Sequence, residues 1–153
     1  MIAAPYSILL ESIQEKLHME AFKSKFRVYY EDTDAGGVVY YANFLKFAER
    51  SRTDLFRSSG IDHTILKEKF GCFYVVRKAE VEYLAPGRLD DEITVETIIK
   101  HVGRSSVVMS QNCFNQNGEK LADIEVLIVC VKNEGEKVKS ARMPEELLKF
   151  FKS

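Results

Sequence analysis

The sequence has no excess of charge of either sign: 22 lysines and arginines stand against 23 aspartates and glutamates, a formal net charge of −1. A chain so balanced has no general grip on a phosphate backbone, and nucleic acid is not an expected partner. Cysteine is scarce. Cys72, Cys113 and Cys130 lie in apolar segments without paired short spacing, which fits neither a disulfide framework nor a zinc site and predicts reduced core thiols in a cytoplasmic protein. No stretch reaches the roughly 18 apolar residues that a bilayer span requires. The N-terminus has no basic segment, and its apolar run Ile8–Leu10 is cut short by Glu11. Neither a membrane span nor a signal peptide is expected. His18, His63 and His101 are scattered without metal spacing and read as surface residues, so no metal and no cofactor is expected. There is also no Ser-His-Asp or Cys-His signature of an activated nucleophile.

What remains is a chain of 153 residues with 46% hydrophobic and 29% charged side chains, enough for one core and one domain. Residues 1–23 read as an N-terminal extension. Within residues 7–22, Leu10, Ile13 and Leu17 have helical spacing behind Ser7, the pattern of a short amphipathic helix or a partly ordered tail. Residues 24–153 read as the domain. Phe26 to Tyr30, rich in aromatic and β-branched residues, predicts a first strand. From Asn43 the period changes to about 3.6. On a helical wheel Phe44, Leu45, Phe47, Ala48, Ser51, Leu55 and Phe56 fall on one half, with Arg52 alone intruding on that face. Glu49, Arg50, Asp54 and Arg57 fall on the other half. This predicts a long amphipathic helix ending near Ser59–Gly60, where glycine can take the left-handed position.

Beyond the helix, alternating patterns predict strands over Val76–Tyr83, Glu92–Lys100, Val107–Phe114 and Leu121–Val131. Turns fall at Pro86-Gly87, Gly103 and Asn117-Gly118. Pro144 opens a final helix over Glu145–Phe151. One long helix and an antiparallel sheet of about five strands, four of them in a meander, make an α+β domain of two layers.

The stretch YYEDTDAGGVVYYANFLKFAERSR, Tyr29 to Arg52, puts two carboxylates and two glycines just before the long helix. A calcium loop would place Asp32, Asp34 and Gly37 well, but Gly36 stands at the fifth position, Asn43 at the twelfth cannot give the bidentate carboxylate, and no helix enters. A phosphotransferase of the DxD type needs a parallel sheet fed by alternating helices, which this chain lacks. The third reading uses the helix start, where unpaired N–H groups favour developing negative charge. Gly36 and Gly37 let the backbone turn tightly, and Asp34 can then face a carbonyl held on those N–H groups, the layout of an acyl-transfer site. Against it stands the plain alternative that the aspartates cap a turn which the glycines make.

From Arg27 to about Phe150 the chain resembles the 4-hydroxybenzoyl-CoA thioesterase family, on the motifs YYEDTDAGGVVYYANFLKFAERSRTDLFR, VVRKAEVEYLAPGRLDDEI and EVLIVCV. It is most similar to the branch of small acyl-CoA thioesterases encoded beside the bacterial Tol-Pal system. The resemblance implies a hotdog fold, one long sheet wrapped around a central helix. It also implies a homo-oligomer, a dimer or a homotetramer built as a pair of dimers, with sites at the subunit interface. It puts the catalytic carboxylate on Asp34 and the oxyanion donor on the backbone N–H of Tyr41. At position 41 the Tol-Pal branch usually has histidine, so tyrosine here leaves the acyl preference open. Asp34 either attacks the thioester carbonyl or activates water. Gly37, Tyr40 and Arg52 are expected on the substrate side, Arg52 either paired with a carboxylate near the site or on the CoA arm. Asp32 is expected to hold the loop, and Glu49 to be solvated. The substrate is an acyl-CoA, with acyl-carrier protein as the other carrier to consider. The competing reading is a hotdog subunit that binds acyl-CoA or acyl-carrier protein without hydrolysing it.

Overall fold

The computed structural model of the protein describes residues 21–153. The helix expected within residues 7–22 therefore lies outside the described residues, as does His18, except that Phe22 opens a strand. Strand β1 runs over Phe22–Arg27, and Tyr30–Asp32 form a single 3-10 turn. The strand expected over Phe26–Tyr30 thus begins earlier and ends at Arg27, because the acidic stretch that follows closes on itself. Helix α1 spans Asn43–Ser58 and helix α2 His63–Phe70. Strands β2 (Phe73–Tyr83), β3 (Glu92–Val102), β4 (Ser106–Phe114), β5 (Lys120–Glu134) and β6 (Lys137–Ser140) follow, then helix α3 (Glu145–Lys152).

The sheet has six strands, in the order β1-β3-β4-β5-β2, with β6 on β5. Every pairing is antiparallel. The fold is the expected hotdog, a curled sheet around α1, with two departures in topology. β2 does not sit beside β3 in a four-strand meander; it pairs with β5, Tyr83 opposite Ala122 and Phe73 opposite Val131. β6 was not anticipated, since its four residues KVKS are all exposed and show no apolar alternation. Val131 pairs with both Phe73 and Ser140, so β6 lies across β5 from β2, in line with β4.

Helix α2 was also unanticipated. Its start is capped by the Asp62 side chain, which accepts from the Ile65 N–H at 2.8 Å, and it stops at Gly71 in the left-handed conformation. Eight residues with Leu66 alone buried give too short an apolar stripe to stand out in the sequence.

Packing confirms most of the helical wheel. Phe44, Phe47, Ala48, Ser51 and Phe56 are buried, with Phe47 stacked on Phe26 of β1 at 5.7 Å. Leu45, expected on the same face, is 36% exposed. At the far end of α1, Phe150 and Phe151 of α3 meet Phe56, each at 5.5 Å.

A buried helix brings polar atoms into the core, and these must be paired. Ser51 Oγ lies 3.0 Å from Thr97 Oγ1. Gln111 of β4, fully buried, donates from Nε2 to the Ala48 carbonyl at 2.8 Å and to Thr97 Oγ1 at 3.0 Å. Its Oε1 accepts from Arg52 Nη1 at 2.8 Å. This one side chain ties the middle of the helix to the centre of the sheet. Replacing it by leucine leaves a partly buried guanidinium without its partner, and Gln111→Leu is predicted to lower unfolding stability by about 2 kcal/mol. Urea titration measures this, and a change under about 0.5 kcal/mol, within the range of an ordinary surface substitution, would show that the network does not stabilise the fold.

Candidate active site

The loop before α1 is built from its own backbone. Asp34 N–H donates to the Val38 carbonyl at 2.9 Å, and Gly37 N–H to the Asp34 carbonyl at 3.0 Å. Gly37 has φ +76, a left-handed conformation that side chains resist, and this is why glycine stands there. Val39 N–H reaches the Gly87 carbonyl at 2.8 Å, fastening the loop to the β2–β3 connection.

Within this loop the two aspartates do different work. Asp32 fastens the loop: its Oδ2 accepts from Tyr29 N–H at 2.8 Å. Its carbonyl accepts from Tyr40 N–H and from Asn43 Nδ2, both at 2.8 Å. Asp34 is exposed and uses only one oxygen, Oδ1, which accepts from Gly36 N–H at 2.8 Å. A Cβ on residue 36 would stand 3.1 Å from that oxygen, so glycine there leaves the carboxylate room. Oδ2 accepts no hydrogen bond among the described residues.

Helix α1 begins without a cap. Ala42 at the cap position offers no polar side chain, and the first turn has no acidic residue. The side chain of Asn43 instead turns back to Asp32. The N–H groups of Tyr41 and Ala42 donate to nothing among the described residues, so the positive end of the helix faces the loop unneutralised. A hollow of about 430 Å³ opens here, with Asp34, Tyr40, Tyr41, Phe44, Tyr83 and Pro86 among its walls. Tyr40 and Tyr41 meet edge to face at 4.8 Å. The Tyr40 phenol is raised above its ordinary value first by the adjoining Tyr41 hydroxyl, and in smaller part by burial and the charge of Asp34. The site therefore combines a free carboxylate oxygen, unpaired N–H groups at a helix start and an aromatic wall. That set suits attack on a carbonyl whose oxygen becomes negative.

Of the residues expected here, Asp34, Tyr40 and Tyr41 line the hollow, and Gly37 forms the turn beneath it with its N–H bonded internally. Arg52 lies apart from them. Its partner is the amide of Gln111 and not a carboxylate, and burial lowers its guanidinium below its ordinary value, against the charge of Glu49. Glu49 itself is exposed and accepts from Thr53 Oγ1 at 3.1 Å. His63 and His101 are exposed. Asn43 and Tyr83 were not anticipated. A leading Asn at a helix start was the available signal for the first, but nothing local marks the second, which arrives from β2.

Among the described residues no three His, Cys, Asp or Glu side chains converge on a common point. Cys113 and Cys130 are fully buried. Burial pushes the Cys113 thiol up to about 12. Burial and then the neighbouring Cys72 push Cys130 to about 12. A raised value keeps the neutral thiol at ordinary pH, where it is a poor nucleophile. Iodoacetamide at pH 8 is therefore expected to leave both unmodified in the native protein and to label them in urea. Native labelling at either position, read by peptide mass, would contradict this.

The thioesterase-like superfamily model matches residues 28–151. The acyl-CoA thioester hydrolase YbgC of Escherichia coli O6:H1 is 42% identical over 86% of this chain and 96% of its own. A probable thioesterase from Bartonella henselae superposes with a TM-score of 0.74 at 32% identity, covering 81% of this chain and 99% of that one. The 4-hydroxybenzoyl CoA thioesterase from Pseudomonas sp. strain CBS-3 has a TM-score of 0.79 at 19% identity over 85% and 98%, a likeness of fold.

Proposed function

This chain belongs to the thioesterase-like superfamily, closely related to the YbgC-type acyl-CoA thioesterases, and on that footing we propose how it hydrolyses an acyl-CoA thioester to a free acid and CoA. The thioester carbonyl docks at the mouth of the hollow with its oxygen on the Tyr41 N–H. Asp34 works from the other side through Oδ2. Either Oδ2 attacks the carbonyl carbon and the C–S bond breaks, leaving a mixed anhydride for water to cleave, or Oδ2 takes a proton from water as the water attacks. In both routes the departing sulfur takes up a proton and leaves as CoA. The observation that carries this reading is the pairing of an unengaged carboxylate oxygen with an unengaged N–H at an uncapped helix start. A donor of this kind typically contributes about 3 kcal/mol to the transition state. Tyr40 walls the acyl group, and the tight turn at Gly37 lets substrate approach the backbone.

The working form is a homo-oligomer. Among the described residues β2 pairs on one side alone, and along it Val76 is 51% and Tyr83 45% exposed. An open edge of this length with apolar residues calls for cover, and a second copy supplies it beside the site. Three buried free cysteines support a reducing, cytoplasmic setting. Among the described residues no helix is long and apolar enough to cross a membrane.

The test is thiol release from acetyl-, decanoyl- and benzoyl-CoA and from the matching acyl-carrier-protein thioesters. Asp34→Asn should lower kcat on the order of a hundredfold or more with an unchanged melting temperature. Near wild-type turnover in that variant would remove Asp34 from the chemistry. Saturable binding with no release from any carrier would favour the non-catalytic subunit. Sedimentation at micromolar concentration should give a dimer or tetramer, and a single-chain mass would overturn the assembly.

A further inference from the structure

β2 ends at Tyr83, and its side chain crosses from the sheet to the loop before α1. The phenol hydroxyl donates to the Tyr41 carbonyl at 3.0 Å, between residues 42 apart in the chain. The ring stands edge-on to Tyr41 at 6.0 Å and to Phe44 at 5.9 Å. The other described bonds made by residues 40–42 stay within the loop and the start of α1. Tyr40 N–H goes to Asp32, and its carbonyl accepts from Asn43 N–H at 2.8 Å. Tyr83 supplies the tie from outside.

We propose that Tyr83 is a positioning residue: its hydroxyl, by holding the Tyr41 carbonyl, fixes the direction of the Tyr41 N–H toward the substrate oxygen. This rests on the reading above, in which that N–H polarises the thioester. Each peptide unit is rigid, so residue 41 can reorient only through its two soft torsions. The unit before it is anchored through the Tyr40 carbonyl and the unit after it through Tyr83. The Tyr41 N–H lies in the first of these units and the Tyr41 carbonyl in the second, so Tyr83 acts on the N–H through the torsions of residue 41, limiting how far the first unit turns about its single anchor. Without the hydroxyl the second anchor is lost, while the ring still fills its space. Hydrogen bonds weaken steeply as they depart from linearity, and a donor aimed at the oxyanion matters most in the transition state. Burial, and then Tyr41, raise the Tyr83 phenol above its ordinary value, so it remains a donor throughout the neutral range.

The experiment compares wild type, Tyr83→Phe, Asp34→Asn and the double variant. The substrate is whichever of acetyl-, decanoyl- and benzoyl-CoA the wild type releases fastest, labelled with carbon-13 at its carbonyl. Tyr83→Phe should lower kcat about tenfold with KM nearly unchanged, the pattern of a lost transition-state interaction. Bound to Asp34→Asn, the labelled carbonyl should show its infrared stretch shifted down from the free thioester, and adding Tyr83→Phe should return it partway. An equal fall in melting temperature and no recovery of the band would mark Tyr83 as merely structural and overturn the proposal. Unchanged kcat in Tyr83→Phe would also overturn it. If Asp34→Asn loses turnover and shows the downshift while Tyr83→Phe alters neither rate nor band, the Tyr83 proposal fails by itself. If Asp34→Asn shows no downshift, the Tyr41 donor reading fails, and this proposal with it.

Discussion

α1 lies inside the curl of the sheet because its buried side is apolar and, at Ala48 and Ser51, small. That close approach brings the Ala48 carbonyl and the hydroxyls of Ser51 and Thr97 into a region with little water, where an unpaired polar group is costly. Gln111 meets the need from the sheet, with one amide serving a helix carbonyl, a threonine and an arginine. The stacking of Phe47 on Phe26 and the ring cluster around Phe56 then hold the two ends. A helix anchored this way has a set direction, and its N-terminal N–H groups point where the loop and the hollow meet. The chemistry at the site follows from how the core is filled.

The loop shows how position separates two residues of the same type. Asp32 and Asp34 are two apart and each accepts one hydrogen bond through its carboxylate, yet the Asp32 carbonyl also holds Tyr40 and Asn43 while Asp34 stands exposed beside the hollow. Side chains two apart in extended backbone point the same way, but the 3-10 turn over Tyr30–Asp32 and the left-handed Gly37 break that regularity. Asp32 is drawn under the helix start and Asp34 is left at the rim. Asn43 joins the arrangement by turning its amide back to the Asp32 carbonyl, while the cap position, Ala42, offers no polar side chain. A side-chain cap would satisfy one of these N–H groups from within the chain and leave fewer to offer a substrate.

β2 carries two duties that conflict in a single chain. Its inner side supplies Tyr83 to the site, and its outer edge is open. The strand expected to be half buried is instead mostly exposed, because it is the last strand of the sheet and nothing described lies beyond it. In the proposed assembly a second copy covers that edge, which would link the stiffness of the site to assembly, since Tyr83 is fixed only as well as the strand that bears it.

Much of this was legible in the chain. Periodicity reports which face of an element is buried, and it located α1 and the core of each long strand, while the Asn-Gly pair located the turn at Asn117-Gly118. The family motif brought Asp34 and Tyr41 to notice. Elements without a broad apolar face escaped: α2 buries one leucine and β6 buries nothing, so neither leaves a pattern. Strand order also escaped, because alternation says that a strand has a partner and not which one. Arg52 reads as a misplaced charge in one dimension and finds an amide only once β4 packs below the helix. Tyr83 is one more aromatic in an alternating run until the fold carries it across 42 residues to the Tyr41 carbonyl. The sequence by itself determined the local elements and the chemical types near the helix start, since these depend on neighbours in the chain. Only the tertiary structure decided which oxygen is free, which N–H is unpaired and what holds them, since those depend on contacts between segments that the chain order keeps apart.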